Sequence, residues 1–191
     1  MTASSGPDYY VMTCDGVPPV GGIRRISDVP SSPWMHGALV EHDAEKRIVF
    51  SVDPEERGEL KAMYEGGVPL MRHDLLKAVR DAGVDNLQIF PAVIRDKKKK
   101  KQHSNYKAIN IVGVVACADT GESVMAGTSS STLIDADFDS LVIDGSKTGG
   151  ALLFRLAEAV SAIIVHEKVK KVIEDSGIPG MMFYGPGEWS G

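Results

Sequence analysis

The fold is decided by the stretch LLKAVRDAGVDNLQIF at residues 75–90 and by a second stretch of similar pattern, VKKVIEDSGIPGMMFY, at residues 169–184. In both, apolar side chains recur every three or four residues, which is the spacing of one face of an α-helix. The spacing predicts helices over residues 74–82 and 167–175. Because neither helix can bury its apolar face alone, we expect both to pack on a common sheet.

A glycine and then an apolar run follow each predicted helix. Gly83 and Gly177 stand at the C-cap, where a left-handed backbone is common and glycine adopts it without a steric penalty. The apolar runs predict strands over residues 87–94 and 181–184, and Pro91 places the first of these at an edge or a bulge. The two stretches therefore predict a duplicated helix–Gly–strand unit. Aligned from residues 75 and 169, they share three identities, namely Lys77 with Lys171, Asp81 with Asp175, and Gly83 with Gly177.

Further short apolar runs predict more strands, and residues 56–65 predict one more short helix. Because the strands are short and numerous and the helices are few, the sequence predicts an α+β fold with a mainly antiparallel sheet. These additional strands are expected at residues 9–13 as an edge strand, 47–52, 109–118 as a central buried strand, 141–143, 152–156 and 162–165.

The composition is typical of a globular protein, and since no complete motif is evident we expect no cofactor. The chain has 191 residues, of which 43% are hydrophobic, and this predicts one domain over residues 1–191 with a loose tail at 1–7. The net charge of −5 argues against a dedicated nucleic-acid-binding protein. Two cysteines are too few for a disulfide framework. Since neither a signal peptide nor a membrane-length apolar run is evident, we expect a cytoplasmic protein.

The most highly charged segment is RDKKKKKQHSNYK at residues 95–107, which holds seven Lys or Arg and one Asp. Five adjacent lysines repel one another, so the pattern predicts an extended, solvated basic loop. A contact with an acidic partner is the second interpretation of these lysines. Nucleic-acid binding is the third, because no aromatic residues alternate with the lysines to stack on bases.

A stretch of opposite charge follows, since residues 108–146 contain six carboxylates and no Lys or Arg. Carboxylates that share a face would attract a basic protein and speed its capture, although ordinary surface solubility explains them equally well. We take four of them as a candidate partner-binding surface, called the acidic patch below. Its members are Asp135, Asp137, Asp139 and Asp144.

Motifs for catalysis or metal binding are incomplete. The run DADFDS at residues 135–140 begins like a calcium loop, but serines occupy the positions of the required Gly and Glu. Ser104 and Lys107 match part of a serine β-lactamase signature, which requires the serine at a helix start, whereas this segment runs into a predicted strand. His73 and His166 stand at predicted helix starts, where a capping role is expected. We therefore predict no catalytic residue and no metal site.

Three segments resemble immunity family eleven, a former domain of unknown function among the immunity proteins of bacterial polymorphic toxin systems. The resemblance covers roughly residues 68–185, and it departs from the family pattern at His166, where a capping Ser is expected. It implies a non-catalytic protein that binds and neutralises a toxin encoded by a neighbouring gene. The alternatives are a nucleic-acid-binding module that uses the lysine-rich loop, or a serine hydrolase. The segments are LLKAVRDAGVDNLQIFPAVI (75–94), YKAINIVGVVACADTGES (106–123) and GGALLFRLAEAVSAIIVHEKVKKVIEDSGIPGMMF (149–183).

Overall fold

The computed structural model describes residues 8–16, 20–29, 32–55, 58–125 and 137–191. The predicted tail at residues 1–7 lies outside these ranges. The described chain is mostly strand with few helices, and most strand pairs are antiparallel, so the prediction of an α+β fold is confirmed.

The helices are α1 (Ser32–Met35), α2 (His73–Asp81) and α3 (Glu167–Asp175), with a 3₁₀ turn at Gly145–Lys147. The strands are β1 (Tyr9–Cys14), β2 (Val20–Gly21), β3 (Ile23–Arg25), β4 (Ile48–Val52), β5 (Glu59–Leu60), β6 (Met63–Tyr64), β7 (Leu70–Arg72), β8 (Leu87–Asp96), β9 (Lys101–His103), β10 (Tyr106–Ile111), β11 (Val114–Val115), β12 (Val124–Met125), β13 (Phe138–Ser140), β14 (Leu153–Leu156), β15 (Ile163–His166) and β16 (Met181–Tyr184).

Two sheets dominate the architecture. A seven-stranded sheet has the order β3-β4-β8-β10-β7-β6, with β9 paired to β8, and a five-stranded sheet has the order β11-β14-β15-β1-β16. In the first sheet β10 lies between β7 and β8 and is antiparallel to both. In the second, β1 lies between β15 and β16 and is likewise antiparallel to both.

The two helices of the opening stretches form where the spacing predicts them. α2 contributes the buried Leu75 and Val79, and α3 contributes the buried Val169 and Ile173. Each helix follows directly on a strand, so its first residues continue from extended backbone. His166 caps α3, because its Nδ1 accepts a hydrogen bond from the Lys168 backbone N–H at 3.0 Å. The capping role expected for His166 is confirmed, whereas the one expected for His73 is wrong, because the N-cap of α2 is Arg72 and no side chain caps that helix start.

The core consists of three apolar clusters separated by the sheets. Successive residues of a strand point to opposite faces, so one face of each sheet joins both helices in a central cluster and the other face has a cluster of its own. The central cluster includes Met12, Met71, Leu75, Val79, Ile109, Val165, Val169 and Ile173. The cluster behind the seven-stranded sheet includes Trp34, Phe50, Leu70 and Tyr106, and the one behind the five-stranded sheet includes Tyr9, Phe138, Phe154 and Ile164.

The prediction of an edge strand at residues 9–13 is wrong, because β1 is an interior strand with a neighbour on each side. Tyr9 and Val11 join one cluster and Met12 and Cys14 join another, so both faces of β1 are buried. Pro91 does not mark an edge either. It lies in the interior strand β8, paired with Lys107 and one residue before the parallel pairing with β4 begins at Ala92.

The apolar run at residues 109–118 does not form one strand. β10 ends at Ile111, and Gly113, with φ +94°, turns the chain so that β11 joins the five-stranded sheet beside β14. The backbone at Gly37 lies close to this turn and holds it, because the Gly113 N–H donates to the Gly37 carbonyl at 2.8 Å. The prediction is therefore right for the start of the run and wrong for its end.

Two weaker predictions also fail. Residues 58–65 form β5 and β6 instead of a helix, because Met63 and Tyr64 pair with β7 and the buried Met63 joins the central cluster, and residues 56–57 lie outside the described ranges. Ladder pairing and burial outweigh the weak helix preference of such a short segment. The strand expected at 141–143 is reduced to one bridge between Ala118 and Ile143, since the chain pairs earlier, in β13.

Candidate partner-binding cleft

The lysine-rich segment folds into a tight hairpin between β8 and β9. Ladder pairs join Asp96 to Lys101 and Ile94 to His103, and the Asp96 carboxylate accepts a hydrogen bond from the Lys99 backbone N–H at 2.9 Å. Lys100 takes a positive φ of +50° in the turn. The lysines are exposed, as expected. The prediction of an extended loop is wrong, because ladder pairing between β8 and β9 outweighs the mutual repulsion of the lysines and forms a hairpin.

Beside the hairpin lies a cleft of about 720 Å³, called the cationic cleft below. The β8–β9 hairpin, the ends of β3 and β4, and the segment around β5 contribute to its walls. Its charged lining is dominated by cations, with three carboxylates among them. The cationic side chains are Arg24, Arg72, Lys97, Lys98, Lys99 and Lys101, and the carboxylates are Asp53, Glu59 and Asp96.

Some of these cations are already paired. The Arg24 Nε lies 3.3 Å from an Asp53 carboxylate oxygen. The Arg72 guanidinium donates two hydrogen bonds to Asp74, at 2.8 and 2.7 Å, and holds the pKa of that carboxyl below its usual range. Lys98 donates through Nζ to the backbone carbonyl of residue 54 at 2.6 Å.

Three other lysines of the hairpin differ from these paired cations in their contacts. Lys97, Lys99 and Lys101 make no side-chain hydrogen bond or ion pair with the described residues. They line the same cleft, so their ammonium groups are available to a bound anion. Their positive charge also affects His103, whose pKa is lowered first by burial and then by the charge of Lys101.

The base of the cleft includes Tyr106, which is buried to 2% exposure. Its hydroxyl donates to the Lys61 carbonyl at 2.8 Å, and burial raises its pKa to about 12. The ring packs in the cluster behind the sheet and offers no open face to the cleft. The cleft therefore presents charged and hydrogen-bonding groups, and Tyr106 offers no aromatic platform in it.

The acidic patch is only partly described by the structure. Asp137 and Asp139 are exposed on either side of the buried Phe138, and Asp135 lies outside the described residues. Asp144 caps the 3₁₀ turn, accepting from the Ser146 N–H at 3.0 Å and pairing with Lys147 at 3.1 Å. Hydrogen bonds from Ser146 and then Lys147 lower its pKa. Its charge is thus largely engaged locally.

The catalytic and metal alternatives find no support from geometry. Ser104 is exposed between β9 and β10 and does not start a helix, as the hydrolase interpretation requires. In the described ranges, no three His, Cys, Asp or Glu side chains are grouped so that they could hold a metal ion.

Residues far from the lysine run complete the cationic cleft. Arg24, Asp53 and Arg72 reach it from β3, the end of β4 and β7. Nothing in their local sequence marks them, since only the pairing of β3 with β4, and of β7 with β10, brings them to this place.

Comparison with known proteins identifies the family of this protein. A family model of immunity proteins, described as "Immunity protein family (Imm11)", matches residues 4–187. The chain belongs to that family, and the match extends the resemblance at residues 68–185 to the N-terminal third. A search of curated proteins finds no match. None of the helices in the described part of the chain has the length and hydropathy to span a membrane.

Proposed function

We propose that this protein neutralises a cognate bacterial toxin by binding it directly and non-covalently. The observation that carries the proposal is the family match over residues 4–187. The partner is then a toxin of a polymorphic system used in bacterial competition, encoded by a neighbouring gene, and the protein acts in the cytoplasm of the toxin's producer.

Neutralisation in this proposal needs no catalysis by the immunity protein. The exposed position of Ser104 between two strands supports this, because no described helix start activates it. Replacing Ser104 with Ala should leave protection unchanged. Loss of protection by a folded S104A protein that still binds the toxin would contradict a purely binding role.

The acidic patch belongs to the proposal as a surface for a basic toxin face. Asp137 and Asp139 support it through their exposure, while the local pairing of Asp144 makes it the weakest contributor. Charge reversal at Asp137 and Asp139 should slow association at low salt, and added salt should reduce the effect, because exposed charges are screened over about 10 Å at 0.1 M salt.

We also infer that the scaffold contains a duplicated helix–Gly–strand unit. The α2 unit is β7, α2, Gly83 and β8, and the α3 unit is β15, α3, Gly177 and β16. Support comes from the positive φ angles of Gly83 (+100°) and Gly177 (+63°) after helices of nine residues each. Superposition of the two units should align all four elements, and a failure to superpose would contradict the duplication.

The test of the main proposal uses the toxin from the neighbouring reading frame. Co-expression should restore growth of cells that produce the toxin, and the purified proteins should form a complex with a Kd of roughly nanomolar or below, since protection has to persist at low protein concentration. An immunity protein from an unrelated system is the control. Absence of a complex would contradict the proposal, as would equal protection by the control.

A further inference from the structure

We propose that the cationic cleft binds an acidic segment of the toxin, through carboxylates placed against Lys97, Lys99 and Lys101. The inference rests on the proposed function and adds to it a second contact surface, distinct from the acidic patch, and the chemistry of the toxin segment that this surface binds. It assigns a role to the lysine run, which the fold does not need for its core.

The three lysines are held close together and form no ion pair with the described residues. The β8–β9 ladder and the Asp96 bond to the Lys99 backbone hold the turn in one shape. The carboxylates that line the same cleft form no ion pair with Lys97, Lys99 or Lys101. Like charges held close together are unfavourable, and carboxylates of a partner would relieve that repulsion.

Two arginines in the walls of the cleft are oriented by ion pairs, Arg24 by Asp53 and Arg72 by Asp74. These two side chains therefore lose less conformational freedom on binding than unpaired side chains would. The volume of about 720 Å³ falls within the range of ordinary ligand pockets.

The carboxylates in the cleft favour an acidic protein segment over a nucleic acid. Asp53, Glu59 and Asp96 line the cleft among the cations and would repel a continuous row of phosphates. A protein segment can place carboxylates at the lysines and hydrogen-bond donors at these acids. Tyr106 is buried and gives no stacking surface, which single-stranded nucleic acids usually require.

The experiment compares two triple variants of the full chain that change the net charge equally. One carries Lys97→Gln, Lys99→Gln and Lys101→Gln in the cleft. The matched control carries three Lys→Gln changes on the two helices, at Lys77, Lys168 and Lys171, which are exposed and do not line the cleft. Circular dichroism and thermal melting verify that both variants fold.

Association with the cognate toxin is measured by surface plasmon resonance at about 50 mM and about 500 mM salt. The cleft variant should associate at least about 10-fold more slowly than the wild type at low salt, and the difference should shrink at high salt. The control variant should stay within about 2-fold of the wild type. Equal rates for the cleft variant and the wild type, or an equal loss in both variants, would overturn the proposal.

Two probes test the chemistry of the ligand. A hexaglutamate peptide should compete with the toxin for the wild type and not bind the cleft variant. A single-stranded RNA of about 12 nucleotides should bind the wild type no better than the cleft variant at about 150 mM salt. RNA binding that only the wild type shows would overturn the proposal in favour of nucleic acid.

The design separates the two proposals. If the wild type does not bind the toxin, the proposed function fails. If the wild type binds it and the cleft variant binds equally fast, only the assignment of the cleft fails.

Discussion

The α2 unit and the α3 unit each run from a strand through a nine-residue helix and a glycine to a second strand, but their middle strands come from different parts of the chain. In the α2 unit the strand between β7 and β8 is β10, which follows β8 along the chain, whereas in the α3 unit the strand between β15 and β16 is β1, from the start of the described chain. Each helix begins with a backbone hydrogen bond to the residue before its middle strand. His73 donates to the carbonyl of Asn105 at 2.9 Å, and Glu167 donates to that of Asp8 at 2.7 Å.

The C-terminal ends of the middle strands β10 and β1 are also held by equivalent backbone hydrogen bonds. The Val112 N–H donates to the Asn86 carbonyl at 2.9 Å, and the Asp15 N–H donates to the Gly180 carbonyl at 3.0 Å. The helix, its cap and the following strand are therefore determined by local sequence, whereas tertiary pairing determines which strand lies between the two flanking strands. The units also diverge, since only β8 continues into the lysine hairpin and the cationic cleft.

The largest expected effect comes from the close approach that only the α3 unit contains. A Cβ on Gly180, which has φ +77°, would lie 2.5 Å from the Gly16 Cα, so backbone would have to move. Replacing Gly180 with Ala should lower the free energy of unfolding by about 3 kcal/mol, measured by urea denaturation. Gly66→Ala is the control, because a Cβ there meets nothing within 4 Å. A loss no larger than in the control would show that the contact with Gly16 is not tight.

The next effect compares the helix caps of the two units. Gly177 lies at φ +63°, inside the left-handed region, so Gly177→Ala should cost about 1 kcal/mol. Gly83 lies at φ +100°, outside that region, so Gly83→Ala should cost about 2 kcal/mol. Thermal unfolding of both variants measures the difference. Equal losses would mean that the two caps relax to the same conformation.

The tyrosines that begin the two middle strands provide a smaller contrast. Tyr106 donates to the Lys61 carbonyl, whereas the Tyr9 hydroxyl contacts Thr148 Oγ1 at 2.7 Å, and Thr148 also bonds the Gly145 carbonyl. Tyr106→Phe should cost about 1.5 kcal/mol because it removes the donor to Lys61, and Tyr9→Phe should cost less because Thr148 keeps a partner. The reverse order in denaturant unfolding would be inconsistent with this account.

The smallest effect is a pH dependence beside the two units, where the strands paired with β7 and β15 place groups of opposite charge. Glu65 stands two residues after Met63 and Arg155 two after Leu153, and Met63 and Leu153 pair with β7 and β15. Burial, opposed by Lys61, raises the pKa of Glu65, while burial, opposed by Glu65, lowers the pKa of Arg155 to about 10.

A carboxyl with a raised pKa in the folded state favours folding below its unfolded pKa, and this contribution is lost as pH rises through the folded pKa. Glu65→Gln removes the ionisable group, so stability is no longer lost at this position as pH rises. The amide oxygen of the variant can still accept the hydrogen bond from the Cys14 N–H. The stability of the variant relative to the wild type should therefore rise slightly between pH 4 and pH 7, measured by urea denaturation at each pH. A relative stability that is flat or falls would assign no such role to Glu65.

Local sequence patterns were sufficient to predict a feature wherever a single segment contains the whole pattern. The spacing of Leu75, Leu76 and Val79 before Gly83 predicts α2 and its end, and the equivalent spacing predicts α3 at Glu167–Asp175. The lysine run predicts exposed charge for the same reason, because five adjacent ammonium groups cannot be buried unpaired. The family pattern also lies in the sequence and indicates an immunity protein.

Only the tertiary structure decided which strands are neighbours. β1 was expected at an edge, but burial of both its faces places it inside the five-stranded sheet. The same long-range pairing carries Arg24 and Arg72 to the lysine hairpin and so creates the cationic cleft. Periodicity reports which face of a segment is apolar, whereas pairing depends on the total burial and hydrogen bonding of distant segments, which no local pattern contains.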